Sequence, residues 1–390
     1  YEITCREWSS DVCSSDLDRP LHYDIRDILI APARALSAKR IFVMTLFLLI
    51  SLGMYDLFTY AAVVIQGDSV GAFWRVFGLL PAVWNPFSDP AAQGVYLFGV
   101  VIALIGLMLG FFAVSAIEIG QIRGNRFLPM RGAIKFAFQR LGQVALGQLS
   151  IAMFLVILFA LYLLLGLLVQ IPVVGEWIYS LTFVLPVFIV ALFTVFIFAV
   201  FQVGVVLLPA AAAADRRGET FTAILETFST VIRQPVRWLV YTAYGLVSAK
   251  AASWVYAYAC YRAVQFSAWA TSVSAGEEAK DLVREGLSHL PVNAEIVEQM
   301  FQLWPGVDWG VQVWPWVMRG DNPASFVMAG MLFLIFASIL GYFLTVVATT
   351  QARGYVLIRY FKDGYKIASE KPLFFDEAQT VAQQPSPEEP

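Results

Sequence analysis

Six long apolar stretches separated by polar loops dominate the pattern of this chain. A hydrocarbon core about 30 Å thick takes about 20 apolar residues in helical form. The stretches of that length are Ile41–Ile65, Val95–Ile117, Val144–Val169, Ile178–Leu208, Leu239–Phe266 and Phe326–Thr350. Because backbone polar groups in lipid must be satisfied internally, we interpret these stretches as transmembrane helices rather than strands. The fourth is longer than a bilayer needs and contains Pro186, which predicts a tilt or a kink.

A short amphipathic stretch precedes each odd-numbered span. The apolar positions on one helical face are Ile25, Ile28, Leu29 and Leu36 before the first span, Met130, Ile134, Ala137, Phe138 and Leu141 before the third, and Phe221, Ile224, Leu225, Phe228 and Ile232 before the fifth. Such stripes with basic ends are typical of helices in the headgroup plane. We therefore predict three parallel units, each an elbow helix followed by a two-span hairpin, repeating at about 90 to 105 residues. The alternative is that any loop entering a span looks amphipathic.

Basic residues concentrate in every second loop. The basic segments are 18–40, 118–143, 211–238 and the first part of the tail after residue 350. The loops between them are poor in Lys and Arg, and the segment 267–325 is rich in acidic residues. The positive-inside rule then places both termini in the cytoplasm, and the chain is predicted to be a multi-pass protein of the inner, cytoplasmic membrane.

The composition narrows the function classes. Hydrophobic residues make up 59% and charged residues 14% of the chain, whereas a soluble domain has about 45–50% and about 25%. The net charge of -3 gives no signal for a nucleic-acid partner. Three cysteines and two histidines are too few for a disulfide framework or a zinc cluster, so no cofactor is predicted. Phosphate-binding, zinc-protease and serine-hydrolase motifs are missing from the sequence, which predicts that the chain is not an enzyme.

The fold class predicted is therefore all-α: a polytopic membrane bundle of six transmembrane helices with cytoplasmic amphipathic elbow helices. Its predicted parts are residues 1–17 (an artefact), 18–40 (a cytoplasmic amphipathic segment), 41–266 (transmembrane helices 1 to 5), 267–325 (an extracytoplasmic Trp-rich lid), 326–350 (transmembrane helix 6) and 351–390 (a cytoplasmic tail, first basic, then acidic and disordered).

Two of these parts are recognised by their residues. The stretch CREWSSDVCSSDL near the start closely resembles the translation of a sequencing adapter; the alternative is a short polar leader. The lid contains Trp304, Trp309, Trp314 and Trp316, and because Trp prefers the headgroup level we expect it to lie on the outer membrane face. An aromatic platform that binds carbohydrate or lipid is the sharper alternative.

Charge inside the spans is where a functional site would show. Lys250 lies near the middle of the fifth span and Asp56 lies in the first. Counted from the span starts, their depths differ by about 6 Å at about 1.5 Å per residue. We therefore predict an intramembrane ion pair between Asp56 and Lys250. It could be a packing pair or a proton or substrate relay, and the alternative is two unpaired groups.

The region around the fifth span has a recognisable arrangement. An acidic, glycine-containing turn (Asp215, Gly218, Glu219) leads into an amphipathic helix, Arg233, Pro235 and then a span. This arrangement loosely resembles poorly characterised bacterial six-span families, including the membrane region fused to some glycerophosphodiester phosphodiesterases. No soluble phosphodiesterase domain accompanies it in the sequence, so the resemblance implies no activity.

Two functions fit these observations. The first is a membrane-organising or accessory protein whose partners are the lipid bilayer and, in addition, a protein partner or a second copy of the chain. The alternative is a transporter or permease subunit with a polar site near Lys250 and Asp56. The first predicts a closed, apolar bundle, and the second predicts a polar cavity at mid-depth.

Overall fold

The computed structural model describes residues 21–77, 81, 87–125, 129–171, 174–215, 218–289 and 323–369. Across these ranges the regular structure is helical and contains no strand, which confirms the all-α class. The predicted artefact at residues 1–17, the four lid tryptophans and the acidic tail lie outside the described residues.

Short and long helices alternate along the chain. In order they are α1 (Arg26–Leu29), α2 (Ala31–Ala35), α3 (Ala38–Gln66), α4 (Val70–Phe77), α5 (Pro90–Ile122), α6 (Met130–Gln139), α7 (Leu141–Val169), α8 (Val174–Thr182), α9 (Phe188–Ala214), α10 (Thr220–Arg233), α11 (Pro235–Ala275), α12 (Glu278–Ser288) and α13 (Pro323–Asp363). Five of these helices, α3, α5, α7, α9 and α13, are long and apolar enough to cross a membrane. The chain is therefore a multi-pass membrane protein.

The predicted fifth span lies inside α11, which is not one of those five helices. At 41 residues α11 is long enough to cross a bilayer, but Lys250 and several Ser, Thr and Tyr residues lower its mean hydropathy. The predicted fourth span is a continuous helix in which α8 passes into α9 through a π-helical turn at Phe183–Val187 that contains Pro186. This π-helical turn lies where the sequence predicts a tilt or kink.

The long helices pair as antiparallel hairpins. In the first hairpin, Gly106 and Gly110 of α5 lie so close to α3 that an added Cβ would be 2.6 Å from Ser51 Oγ and 2.9 Å from Phe47 Cβ. In the second, Gln148 Nε2 of α7 donates a hydrogen bond to the Phe201 carbonyl of α9 at 3.0 Å. Glycine at the first contact allows the two backbones to approach closely.

The third hairpin joins α11 and α13. A Cβ on Gly245 would lie 2.9 Å from Thr350, and the hydroxyls of Tyr256 and Ser338 are 3.5 Å apart. On another face of α13, Gly341 packs directly against Thr45 of α3. The small residues of α11 and α13 thus serve helix packing, as small residues commonly do in membranes.

The second helices of the three hairpins, α5, α9 and α13, pack on one another in the interior. Each is buried without interruption near its end, over residues 108–120, 207–214 and 345–358. We call this end of the bundle, where α3, α7 and α11 begin and α5, α9 and α13 end, the basic end. The chain leaves each inner helix through a glycine with positive φ: Gly124 (88°), Gly218 (76°) and Gly364 (67°), a conformation that favours glycine.

Candidate functional site: a buried Arg-Glu-Arg cluster

Three charged side chains from three helices meet inside the basic end. Arg40 lies in the first turn of α3, Glu118 near the end of α5, and Arg353 in the last part of α13. Arg353 Nε donates to Glu118 Oε1 at 2.5 Å, and Arg40 Nη2 forms an ion pair with Oε2 at 2.5 Å. The side chains are 2%, 0% and 5% exposed for Arg40, Glu118 and Arg353, so the cluster is shielded from solvent and lipid.

Other donors of the two guanidinium groups bind the surrounding backbone and one amide side chain. Arg40 Nη1 donates to the Arg34 carbonyl at 2.9 Å, and Arg40 Nη2 also donates to the side-chain oxygen of Gln121. Arg353 Nη1 donates to the Asp27 carbonyl at 2.7 Å. The cluster therefore connects the α1–α2 segment to α3, α5 and α13.

The charges of the cluster do not cancel, because two cations share one carboxylate. The carbonyl dipoles of Arg34 and Asp27 and the Gln121 amide oxygen supply the remaining negative potential. Planar guanidinium groups suit this role because they present several donors in fixed directions. Removing one member of a buried ionic group leaves an uncompensated charge, which commonly destabilises a protein by about 3–5 kcal/mol.

Polar contacts at the basic end also hold the other hairpins. Arg123 Nη2, at the end of α5, donates to the Ala214 carbonyl at the end of α9 at 2.7 Å. Lys362 Nζ of α13 lies 2.7 Å from Glu226 Oε2 of α10 and donates to Ser229 Oγ at 3.1 Å. These polar contacts link the helices to one another at the basic end.

Helix α10, which precedes α11, faces the bundle with its small residues. Ala223, Thr227 and Thr230 are buried, and Ile224 and Val231 pack against the core. Phe221, Leu225 and Ile232 instead point outwards. The exposed fractions are 70% for Phe221, 51% for Leu225 and 59% for Ile232. In the segment before α3, Ala31 and Ala35 are buried together with Ile28, while Ile25, Leu29 and Leu36 are exposed. An exposed apolar face of this kind marks a surface that contacts lipid or another protein.

The predicted ion pair between Asp56 and Lys250 does not form. No ion pair within 4.0 Å joins these two described residues, and Lys250 is exposed. Asp56 is half-buried, and its Oδ1 has no hydrogen-bond partner in the described part of the chain. Lys250 follows Ala249, which is buried against α13, so the helical rotation of about 100° per residue turns the lysine away.

The helix registers explain why the sequence-based estimate of depth fails. Gly341 of α13 contacts Thr45 of α3, while Gly245 and Tyr256 of α11 contact Thr350 and Ser338 of α13. Thr45 is thus level with residue 253 or 254 of α11. Lys250 lies about four residues closer to the basic end than this level, whereas Asp56 lies about eleven residues farther from the basic end. The two residues therefore differ in depth by about 20 Å. The estimate of about 6 Å requires both spans to start at the same level. Instead, the start of α11 extends well past the start of α3 at the basic end.

The sequence pattern does not predict the Arg-Glu-Arg cluster, because each of its members flanks an apolar stretch. This pattern places Arg40 in the cytoplasmic leader, Glu118 in a loop and Arg353 in the tail, where charges are usually solvated. The available signal was a lone carboxylate, Glu118, in the apolar sequence SAIEIG. A carboxylate in such surroundings requires a cationic partner, although the sequence does not say which one.

Within the described ranges, no group of three or more His, Cys, Asp or Glu side chains could hold a metal ion. No family model, curated protein or solved structure matches the chain.

Proposed function

We propose that the chain is a six-span protein of the inner, cytoplasmic membrane that organises lipid or supports a partner, rather than an enzyme. The observation that carries this proposal is the inverted helix α10, which buries Ala223, Thr227 and Thr230 and exposes Phe221, Leu225 and Ile232. In water this arrangement would expose a costly apolar surface. At a membrane surface the same face lies among the acyl chains.

In this proposal α11 is the additional span that brings the number from five to six; it is the fifth span in chain order. It packs antiparallel along α13 through Gly245 and Tyr256, and a helix paired along its length with a spanning helix crosses the same bilayer. Six spans place both termini on one side, and the basic residues of the loops make that side the cytoplasm. The short helices α6 and α10 and the α1–α2 segment are then elbow helices at the cytoplasmic surface.

The packing also supports a closed bundle. The inner helices are buried without interruption at the basic end, where the Arg-Glu-Arg cluster joins α3, α5 and α13. The alternative, a transporter or permease subunit with a site near Lys250 and Asp56, needs both side chains in one cavity. A depth difference of about 20 Å argues against such a site.

Reconstituted vesicles test the proposal. The chain is incorporated into phosphatidylcholine vesicles that contain Laurdan, a probe of lipid order at the headgroup level. We expect the wild type to change the Laurdan spectrum, and we expect the Phe221→Ser/Leu225→Ser/Ile232→Ser variant to lose most of this change while keeping its helix content. A matched control, Val156→Ser/Leu163→Ser/Leu167→Ser, alters equally exposed apolar positions of α7 and should retain it.

Thiol labelling separates the two candidate functions. In a background with the native cysteines replaced, a transporter predicts that Asp56→Cys and Lys250→Cys react with a water-soluble reagent added to either side of the membrane. The proposed function predicts that neither cysteine reacts from both sides. A spectrum that is unchanged by the wild type, or labelling of both cysteines from both sides, would overturn the proposal.

A further inference from the structure

Helix α6 differs from α10 in what it presents outwards. It packs into the bundle through Ala133, Phe136 and Ala137, with the Phe136 ring 5.3 Å from that of Phe112. Its outward face carries Arg131 and Lys135, both exposed, followed by Phe138 and Leu141, which are 55% and 41% exposed. Positions 131, 135 and 138 follow helical spacing, so they share one face.

The two cations on this face have no anionic partner in the described part of the chain. The cations of α10 and its surroundings differ, because Lys362 pairs with Glu226 at 2.7 Å and Arg233 lies 3.9 Å from Asp363. The Arg237 guanidinium lies over the Phe361 ring at 4.1 Å. The α10 face is therefore an apolar surface with compensated charge, whereas the α6 face has uncompensated positive charge beside an apolar surface.

The cations and the apolar side chains follow a fixed order along the outward face of α6. Lys135 and Arg131 lie before Phe138, and Leu141 begins the spanning helix α7. Along this face the apolar side chains therefore lie nearer α7, and the cations lie farther from it. The Phe138 ring is partly exposed and also contacts the bundle, since it lies 5.8 Å from the ring of Phe47 of α3.

We infer that the α6 face formed by Arg131, Lys135 and Phe138 binds anionic phospholipid headgroups in preference to zwitterionic ones. This inference rests on the proposed function, because it requires α6 to lie at the membrane surface. The argument is charge complementarity: basic residues near a membrane surface attract anionic lipids, and an apolar anchor beside them holds them at headgroup depth. Helix α10 provides an internal comparison, since it has the anchor without the uncompensated charge.

Lipid-borne quenchers test the inference on the full chain. A bimane fluorophore is attached to Phe138→Cys or, as the matched control, to Leu225→Cys, with the native cysteines replaced. Vesicles contain three parts phosphatidylcholine to one part phosphatidylglycerol, and the same mole fraction of brominated lipid is supplied either as phosphatidylglycerol or as phosphatidylcholine. At position 138 we expect the brominated phosphatidylglycerol to quench at least about threefold more than the brominated phosphatidylcholine; at position 225 we expect a ratio near one.

Two further measurements assign the preference to the cations. The Arg131→Gln/Lys135→Gln variant should lower the ratio at position 138 to that at position 225, while Arg233→Gln should leave it unchanged. Without any substitution, raising the salt concentration should also lower the ratio, because salt screens exposed charges. Equal quenching by the two lipids at position 138 would overturn the inference and leave the proposed function standing. Quenching by neither lipid at positions 138 and 225 would overturn both.

Discussion

Glu118 and Arg353 are 235 residues apart in the chain, yet Arg353 Nε donates to Glu118 Oε1 at 2.5 Å inside the bundle. Arg40, from a third helix, lies on the other carboxylate oxygen. One carboxylate thus joins the first helix of the first hairpin to the second helices of the first and third hairpins. The contact orients these hairpins with respect to one another, which apolar packing alone does only weakly in lipid.

The first prediction concerns the loss of this carboxylate. Glu118→Gln leaves two buried guanidinium groups without an anion, and we expect it to lower the free energy of unfolding by about 3–5 kcal/mol. The measurement is unfolding in mixed micelles with increasing sodium dodecyl sulfate, followed by circular dichroism. Glu277→Gln is the control, because Glu277 is exposed and pairs with Lys280, three residues along the same helix turn; its unfolding curve should match that of the wild type.

A second prediction tests the shape of the arginine rather than its charge. Arg353 uses one guanidinium to donate to the Glu118 carboxylate and to the Asp27 carbonyl. A lysine ammonium keeps the charge but cannot reach both acceptors from one position. We expect Arg353→Lys to cost about 1–3 kcal/mol, the cost of one buried acceptor left unsatisfied.

The matched substitution for this test is Arg233→Lys. Arg233 is 65% exposed and lies 3.9 Å from Asp363, so the change should stay within about 0.5 kcal/mol. Equal effects of the two substitutions would show that the Arg353 geometry contributes nothing.

A third prediction compares two glycines of α13. Gly341 packs on α3, where an added Cβ would lie 3.2 Å from the Thr45 Cα and would also meet its hydroxyl. Gly330 has no atom within 4 Å of the position of an added Cβ. We expect Gly341→Ala to destabilise the bundle by about 1–3 kcal/mol through overpacking, and Gly330→Ala to be neutral or stabilising by up to about 1 kcal/mol. The same unfolding assay measures both, and an unchanged Gly341→Ala curve would mean that α3 and α13 are not closely packed.

The helical class, the apolar stretches and the short helices before α3, α7 and α11 could be predicted from periodicity, because period and length are local properties of the sequence. The relative depth of two helices is not local. It depends on contacts such as Gly341 with Thr45 and Gly245 with Thr350, which pair residues far apart in the chain. For this reason the sequence identified Lys250 as a conspicuous cation but assigned it the wrong neighbour.

The same reasoning applies to the buried cluster. Arg40, Glu118 and Arg353 each lie near a boundary between apolar and polar sequence, where a charge is normally solvated. Only the extension of α13 past the start of α3 buries them together. The outward face of α10 was likewise recognisable as a stripe, but periodicity does not say whether an apolar stripe faces the protein or the lipid.

The last prediction tests the separation of Asp56 and Lys250 by a double-mutant cycle. With a depth difference of about 20 Å, Asp56→Asn and Lys250→Gln should act independently, and their coupling energy should stay within about 0.5 kcal/mol. The parallel cycle of Glu118→Gln with Arg353→Gln removes a direct contact and should give a coupling of about 1–3 kcal/mol. Both cycles use the sodium dodecyl sulfate unfolding assay. A coupling between Asp56 and Lys250 as large as that between Glu118 and Arg353 would require the two side chains to meet, and the register that places Thr45 beside Gly341 would then be incorrect.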